Sequence, residues 1–261
     1  MLLAIDVGNT NIVIGGIENG KSVFSARIQT NREYTADEYA LTISGILQMN
    51  HVDIANVDGG ILSSVVPSLR TVIPKAMKTL TGKDILIVNT GIKTGLNIRM
   101  DDPATVGSDL IVSAVAAKAK YKAPIAIIDM GTATTVCLID KKGDYTGGMI
   151  IPGLWISLNA LSQRAAQLPH IDLTGQTELF GKNTIDCMRS GSLIGTASML
   201  DGILDRIEEE VGEPVSAVIT GGLSTLVLPY CKHEIHSEPD LIIDGLCMLY
   251  DKNTKKPRSK K

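Results

Sequence analysis

The feature that most constrains this 261-residue chain is a short polar pattern that occurs twice, each time directly after an apolar run. The first copy is Asp6-Val-Gly8-Asn9-Thr10, and the second is Asp129-Met-Gly131-Thr132. A second apolar run follows each copy, so both copies predict a strand, a tight turn and another strand. A unit repeated within one chain predicts two similar domains that arose by internal duplication and face one cleft.

The rest of the chain alternates strand and helix patterns, which predicts an α/β architecture. Thr35-Ala-Asp-Glu38 is a capping-box pattern that opens a helix through about residue 48. Further strands are expected at 60–66, 84–88, 123–128 and 136–139, and further helices at 67–80, 103–120 and 192–210. We predict an N-terminal domain at 1–117, a C-terminal domain at 118–250 and a basic tail at 251–261.

The composition is that of a globular protein, since 44% of the residues are hydrophobic and the net charge is only −3. Such a charge gives no general attraction for nucleic acid, and none is expected as a partner. The basic stretch 251–261 is expected to be a solvated, disordered end. The four cysteines are far apart, so we expect reduced thiols in a cytoplasmic protein. No apolar run approaches the ~18 residues of a membrane span.

The repeated pattern suits nucleotide chemistry. Gly8 and Gly131 let backbone N–H groups approach phosphate oxygens closely, and neighbouring hydroxyl and amide side chains can add hydrogen bonds. The aspartate before each glycine can hold a cation or its water. A third glycine-rich strand end, Thr220-Gly221-Gly222, offers backbone against which an adenosine could lie. One copy alone would fit an ordinary strand turn, but three such sites favour a nucleotide-binding protein.

These three sites resemble, in order, the two phosphate motifs and the adenosine motif of the acetate and sugar kinase, heat-shock chaperone and actin superfamily. More of the chain is similar to one family within it, the type III pantothenate kinases. The segments that carry this resemblance are Asp6–Asn11, Ser63–Pro67, Lys93–Leu96, Asp129–Thr135, Pro152-Gly153, Arg164–Pro169 and Gly181–Thr184. The resemblance implies two actin-like (ribonuclease H-like) domains with the active site in the cleft between them.

The resemblance also implies an activity, namely ATP-dependent phosphorylation of the primary hydroxyl of pantothenate, the first step of coenzyme A synthesis. ATP would bind to Asp6, Val7, Gly8, Asn9, Thr10, Asn11, Ile12, Val13 and Thr132, with Asp6 on the Mg²⁺ side. Asp129 would hold a monovalent cation, K⁺ or NH₄⁺. Asp109 falls where the family has its general base, near the start of a helix whose dipole stabilises a carboxylate.

The implied pantothenate site is formed by Met100, Gly107, Ser108, Asp109, Leu110 and Thr184, with Thr184 reaching it from the second subunit of a homodimer. Two positions depart from the family pattern. Leu110 stands where the family has the arginine that meets the pantothenate carboxylate, and Met100 stands where it has a tyrosine. Losing a charged partner for a buried carboxylate weakens binding by about 1.5–3 kcal/mol. Arg99 and Arg164 are the candidate substitutes.

Three interpretations follow from these departures. The first is an active pantothenate kinase with a modified pocket. The second is a related kinase for a less anionic alcohol that uses the same three carboxylates, Asp6, Asp109 and Asp129. The third is a non-catalytic regulator of the Bvg accessory factor type, which would have no chemical use for Asp109.

Overall fold

The computed structural model describes residues 1–254 and contains ten strands and seven α-helices within that range. The strands are β1 (Leu2–Val7), β2 (Asn11–Glu18), β3 (Lys21–Gln29), β4 (Gly59–Ser64), β5 (Leu86–Ile87), β6 (Ile125–Met130), β7 (Ala133–Ile139), β8 (Tyr145–Pro152), β9 (Ser216–Thr220) and β10 (His236–Ser237). The helices are α1 (Ala36–Met49), α2 (Leu69–Thr81), α3 (Ser108–Lys120), α4 (Leu154–Arg164), α5 (Thr184–Val211), α6 (Ser224–Val227) and α7 (Leu241–Thr254).

The strands form two sheets of five strands each with the same topology. The first sheet has the order β3-β2-β1-β4-β5, and the second has the order β8-β7-β6-β9-β10 when read from its matching edge. In both sheets the first three strands of the repeat are antiparallel neighbours, and the last two join in parallel. The prediction of two similar α/β domains is therefore confirmed.

Residue contacts divide the chain into two units. The first contains 1–96, 101–119 and 240–254, and the second contains 97–100 and 120–239. In the first unit, α1 and α2 cover one face of the sheet, and α3 and α7 pack on the other. In the second unit, α4 and α5 pack against a core built on Ala126, Ile128 and Met130.

The C-terminal helix corrects two predictions. Residues 118–250 were expected to form one domain, but α7 packs against β1 and β4 of the first sheet, with Ile243 and Leu246 in the core beside Ala4. Its apolar side chains predict burial but do not indicate which sheet they cover. The predicted disordered tail starts too early, because residues 251–254 belong to α7, where Lys252 Nζ donates to Thr94 O at 2.7 Å. Residues 255–261 of that tail lie outside the described residues.

Local signals explain where the helices begin. The Thr35 hydroxyl accepts from Glu38 N at 3.3 Å, and the Glu38 carboxylate accepts from Thr35 N at 2.7 Å, so the predicted capping box is formed. The helix predicted at 103–120 is shorter than expected. Residues Pro103–Thr105 form a separate 3-10 turn, and α3 begins at Ser108, after Gly107.

Candidate active site

In the first unit, the polar residues of the predicted site meet where β1 and β4 end. Asp6 lies opposite Ser63 in the parallel register of these strands, and the residue is only 9% exposed. The buried hydroxyl of Ser63 lies 3.0 Å from that of Ser108, the first residue of α3. This contact fixes the N-terminus of α3, and with it Asp109, at the end of β4.

The turn between β1 and β2 is held by the segment that follows β3. Gly8 N donates to Asn11 O at 3.0 Å, and a Cβ at position 8 would come equally close to that oxygen. Thr30 makes two hydrogen bonds to this turn. Its hydroxyl donates to Gly8 O at 2.8 Å, and its N–H donates to Thr10 O at 2.9 Å. Arg32 Nη2 donates to Asn9 Oδ1 at 3.0 Å. Sequence reasoning missed Thr30 and Arg32, because no spacing links them to this turn.

Within the predicted ATP segment 6–13, the side chains point to different surroundings. Val7 and Ile12 are buried in the core between the sheet and its helices, so only their backbone groups could meet a ligand. Asn9 and Thr10 are exposed at the turn. The hydrogen-bonding side chains of this segment therefore lie at its first residue and at the turn, whereas the buried apolar side chains anchor it.

Asp109 lies in the first turn of α3 and is half-buried. Leu110 N donates to Asp109 Oδ1 at 2.9 Å. Burial raises the pKa of Asp109 above its usual value, and the Leu110 N–H bond only partly opposes this. A Cβ on Gly107 would collide with Asp109 Oδ1, so the glycine makes room for the carboxylate. A carboxyl group with a raised pKa near a strand end has the properties of a general base.

The second unit repeats this arrangement with Asp129 in place of Asp6. Asp129 lies opposite Thr220 of β9 and Thr135 of β7. The Thr135 hydroxyl oxygen is buried and has no hydrogen-bond partner, so an oxygen donor is available beside Asp129. Thr132 is exposed at the β6–β7 turn.

Two glycines allow close backbone packing around this second turn. A Cβ on Gly153 would collide with the carbonyl oxygen of Thr132, and Gly221 has a φ of +93°. A Cβ on Gly221 would come within 2.6 Å of the Met130 backbone. The Pro152-Gly153 and Gly221-Gly222 motifs therefore pack against the turn that carries Thr132.

The residues predicted for the pantothenate site lie on separate elements. Gly107, Ser108, Asp109 and Leu110 belong to the first unit, and Leu110 is half-buried. Met100 belongs to the second unit, near Gly147. Thr184 is the first residue of α5 and is exposed, after Asn183 caps the helix by accepting from Asp186 N at 2.9 Å.

Arg99, one of the two candidate substitutes for the missing arginine, has other partners. Its Nη1 lies 3.8 Å from Asp140 Oδ2 and 3.8 Å from Asp144 Oδ2, at the β7–β8 turn. Its backbone N–H donates to Tyr145 O at 2.8 Å. Two carboxylates therefore already balance this guanidinium. Arg164 is exposed in the last turn of α4.

Two further observations concern residues 1–254 only. No group of three or more His, Cys, Asp or Glu side chains in this range is placed to hold a metal ion. None of its helices is both long enough and apolar enough to cross a bilayer. The cytoplasmic location stays a prediction.

A family model and curated relatives agree on one family. The model of the type III pantothenate kinase family matches residues 2–206. A type III pantothenate kinase from an Exiguobacterium species is 43% identical, covering 98% of this chain and all of that protein. One from Moorella thermoacetica is 40% identical, covering 97% of this chain and all of that protein.

Solved structures show the same fold at low sequence identity. Component A of (R)-2-hydroxyglutaryl-CoA dehydratase from Acidaminococcus fermentans is 17% identical with a TM-score of 0.55, covering 95% of this chain and 96% of that one. A ROK hexokinase from Thermus thermophilus is 13% identical with a TM-score of 0.50, covering 95% and 97%.

Proposed function

We propose residue roles for this protein on the premise that the chain belongs to the type III pantothenate kinase family. It is therefore a kinase that transfers a phosphoryl group from ATP to pantothenate in coenzyme A synthesis. ATP and a divalent metal follow from the family. The observation that carries the assignment of roles is the half-buried Asp109 at the start of α3, linked to the end of β4 through Ser108 and Ser63.

The triphosphate of ATP would bind to the turn at Gly8, Asn9 and Thr10. Gly8 has no Cβ, and the side chains of Asn9 and Thr10 are exposed at this turn. Asp6 supplies a hard carboxylate oxygen of the kind that Mg²⁺ prefers, so the donor chemistry fits a magnesium site on its side. Mg²⁺ neutralises charge on the phosphate oxygens when it is bound.

Asp109 would act as general base. Its carboxylate accepts the proton of the primary hydroxyl while the hydroxyl oxygen forms a bond to the γ-phosphorus of ATP. The bond between that phosphorus and the bridging oxygen breaks, and ADP leaves. Phosphoryl transfer needs mainly positioning and charge balance, and the fixed N-terminus of α3 provides the positioning for this base.

Asp129 would hold the monovalent cation, K⁺ or NH₄⁺. The buried, unpartnered hydroxyl oxygen of Thr135 lies opposite Asp129 across the β6–β7 ladder and supports such a role. A single carboxylate with neutral oxygens suits an ion of charge +1 better than a divalent ion, which takes more charged ligands. Thr132, exposed at the next turn, would contact the ATP phosphates.

Pantothenate would bind with Met100, Gly107, Ser108, Leu110 and Thr184, the last supplied by a second copy of the chain. The homodimer has support in the apolar surface of the second unit. Ile150 is 80% exposed and Phe180 is 81% exposed, and such side chains are typical of surfaces that become buried in an assembly. Phe180 lies only four residues before Thr184, so an interface there would bring Thr184 with it.

The experiment that tests this function is ATP-dependent phosphorylation by the purified protein with Mg²⁺ and K⁺. Pantothenate is compared with pantothenol and pantetheine, which lack its carboxylate. We expect turnover of pantothenate that requires K⁺ or NH₄⁺ and is lost on Asp109→Asn. Because Leu110 replaces a cation, we also expect weaker discrimination against pantothenol than an arginine would give. Turnover of the neutral alcohols without turnover of pantothenate would contradict the proposal.

A further inference from the structure

The segment after β3 carries a charged side chain that no part of the proposed mechanism uses. Arg32 is exposed, and its Nη2 donates to the side-chain oxygen of Asn9 at 3.0 Å. We propose that Arg32 is a positioning residue for the ATP triphosphate: it fixes the amide of Asn9 so that the amide N–H groups are free to bind phosphate oxygens. This inference rests on the proposed nucleotide role of the turn at Gly8, Asn9 and Thr10.

The first argument is the polarity of the bond. A guanidinium can only donate hydrogen bonds, so the atom of Asn9 that faces Arg32 has to be the carbonyl oxygen. The amide nitrogen then lies in the same plane but on the other side of the Cβ–Cγ bond, and its N–H groups point away from Arg32. An unrestrained asparagine would interconvert between this orientation and its flipped form, which would present an acceptor to the phosphates. Arg32 removes the flipped form.

The second argument is that Arg32 belongs to a segment already tied to this turn. Thr30 holds the carbonyl oxygens of Gly8 and Thr10 at 2.8 and 2.9 Å. Asn31 N donates to Tyr39 Oη at 3.1 Å, and Tyr39 Oη donates to Asn31 O at 2.7 Å, so this segment is anchored to α1. Because the backbone of this segment is anchored, the Arg32 side chain can sample only a limited set of positions. A positioning residue needs such a restriction.

The third argument is charge and space. Within residues 1–254, Arg32 forms no ion pair that would compete with its bond to Asn9, so the guanidinium can stay on the amide oxygen. A cavity of about 610 Å³ lies beside it in the first unit, lined by Asn9, Thr30, Asn31, Arg32 and Tyr34 among others. This volume is of the size that small-molecule sites occupy. The Asn9 amide that Arg32 holds lies at the wall of this cavity, where it can meet an occupant.

The test measures ATP binding and steady-state kinetics for Arg32→Gln, Arg32→Lys and Asn9→Ala, with Arg27→Gln as the matched control on the exposed face of β3. Loss of a charge-assisted bond weakens ATP binding by about tenfold or more in Arg32→Gln. Arg32→Lys, which keeps one charged donor, recovers part of that loss. In both Arg32 variants, the KM for pantothenate and the melting temperature stay at the wild-type values. The control Arg27→Gln behaves as the wild type in every measurement.

The double variant Asn9→Ala with Arg32→Gln decides whether Arg32 acts through Asn9. If it does, the double variant binds ATP no more weakly than Asn9→Ala alone. Additive losses, an unchanged affinity in Arg32→Gln, or an equal rise in the KM values of both substrates would each overturn the inference. The proposed function fails separately, if Asp109→Asn retains turnover in protein that still binds ATP.

Discussion

At the scale of single residues, two opposing effects act on the Asp109 carboxyl. Burial raises its pKa, and the hydrogen bond from Leu110 N lowers it by a smaller amount. Because the native pKa lies above that of the unfolded chain, the native state holds the proton more tightly. Ionisation of Asp109 therefore costs native stability as the pH rises through the native pKa. At neutral pH the group acts as a base at the expense of stability.

Replacing Asp109 by Asn separates these two effects. We expect kcat to fall by roughly 10²–10⁴, the range that general base catalysis contributes. We also expect the melting temperature at pH 7 to stay level or rise, because an uncharged side chain avoids the cost of a buried charge. Wild-type activity should fall on the acid side at a pH above the usual aspartate range. Thermal unfolding and a pH–rate profile measure both effects, and unchanged kcat would contradict the role of Asp109.

Leu110 stands where the resemblance to the family implies an arginine. Arg99 is already paired with Asp140 and Asp144, so it does not simply replace the missing cation. We expect Leu110→Arg to lower the KM for pantothenate by more than tenfold, since a charged hydrogen bond contributes about 1.5–3 kcal/mol. The KM for pantothenol, which has no carboxylate, should not fall. Equal changes for both alcohols would show that the carboxylate does not lie near position 110.

The sequence predicted residues of the site only where a motif surrounds them. Asp6 and Asp129 follow from strand ends, and they lie near the ends of β1 and β6. Asp109 follows from the resemblance to a family, and it lies in the first turn of α3. Thr30 and Arg32 could not be predicted, because their contacts with the turn at 8–10 depend on how β3 pairs with β2. The ion pairs of Arg99 likewise require the β7–β8 turn to fold beside it.

At the scale of elements, the close packing of α7 on α3 depends on Gly245. A Cβ at position 245 would collide with the carbonyl oxygen of Val112 in α3. Gly45, in α1, offers a contrast, since a Cβ there would meet nothing within 4 Å. Both glycines lie inside helices, where glycine is less favourable than alanine. Only Gly245 has a packing reason to be there.

We therefore expect opposite effects from the same substitution at these two positions. Gly245→Ala should destabilise the protein by about 1–3 kcal/mol, because the added methyl group overpacks the α3–α7 contact. Gly45→Ala should stabilise it by about 0.5–1 kcal/mol, because alanine restricts the unfolded chain and fits the helix. Chemical denaturation of both variants measures the difference. A stabilising Gly245→Ala would mean that α7 does not pack as closely on α3.

The start of a helix was predicted correctly where a local sequence signal marks it. It was predicted wrongly where contacts with distant residues or an unrecognised cap determine it. The capping box at Thr35 placed the start of α1 correctly, because two hydrogen bonds within four residues define it. The start of α3 at Ser108 depends on the bond between Ser108 and Ser63, 45 residues earlier. The start of α5 at Thr184, earlier than the predicted 192, depends on the Asn183 cap, which periodicity does not reveal.

At the scale of the whole molecule, the repeat supplies an internal comparison for the proposed dimer. β3 and β8 are equivalent edge strands of their sheets. Val23 on β3 is 53% exposed and Ile150 on β8 is 80% exposed. Among the described residues, the first unit has three further exposed large apolar side chains, Tyr34, Leu41 and Met49, whereas the second unit has more, among them Met149, Trp155, Ile156, Leu179 and Phe180. The interface is therefore expected on the side of β8.

Ile150→Asp tests this assignment, with Val23→Asp as the matched control. Sedimentation velocity should show a shift of Ile150→Asp toward monomer, since a charge buried without a partner opposes association. Val23→Asp should sediment as the wild type does. If Thr184 serves the site of the other subunit, monomeric Ile150→Asp should keep ATP binding and lose turnover of pantothenate. A dimer that persists in Ile150→Asp would place the interface elsewhere.

The position of α7 also bears on how the protein is made. The chain leaves the first unit near residue 119 and returns to it only at 240. On a ribosome, the first unit is therefore synthesised without the helix that covers Ala4 and Ile61 on one face of its sheet. Translation proceeds at roughly 5–20 residues per second, so α7 is synthesised on the order of ten seconds after the chain leaves the first unit. Each nascent molecule thus carries this apolar sheet face with only α3 to cover it through the second half of translation, which makes it a natural client for chaperones that bind emerging chains.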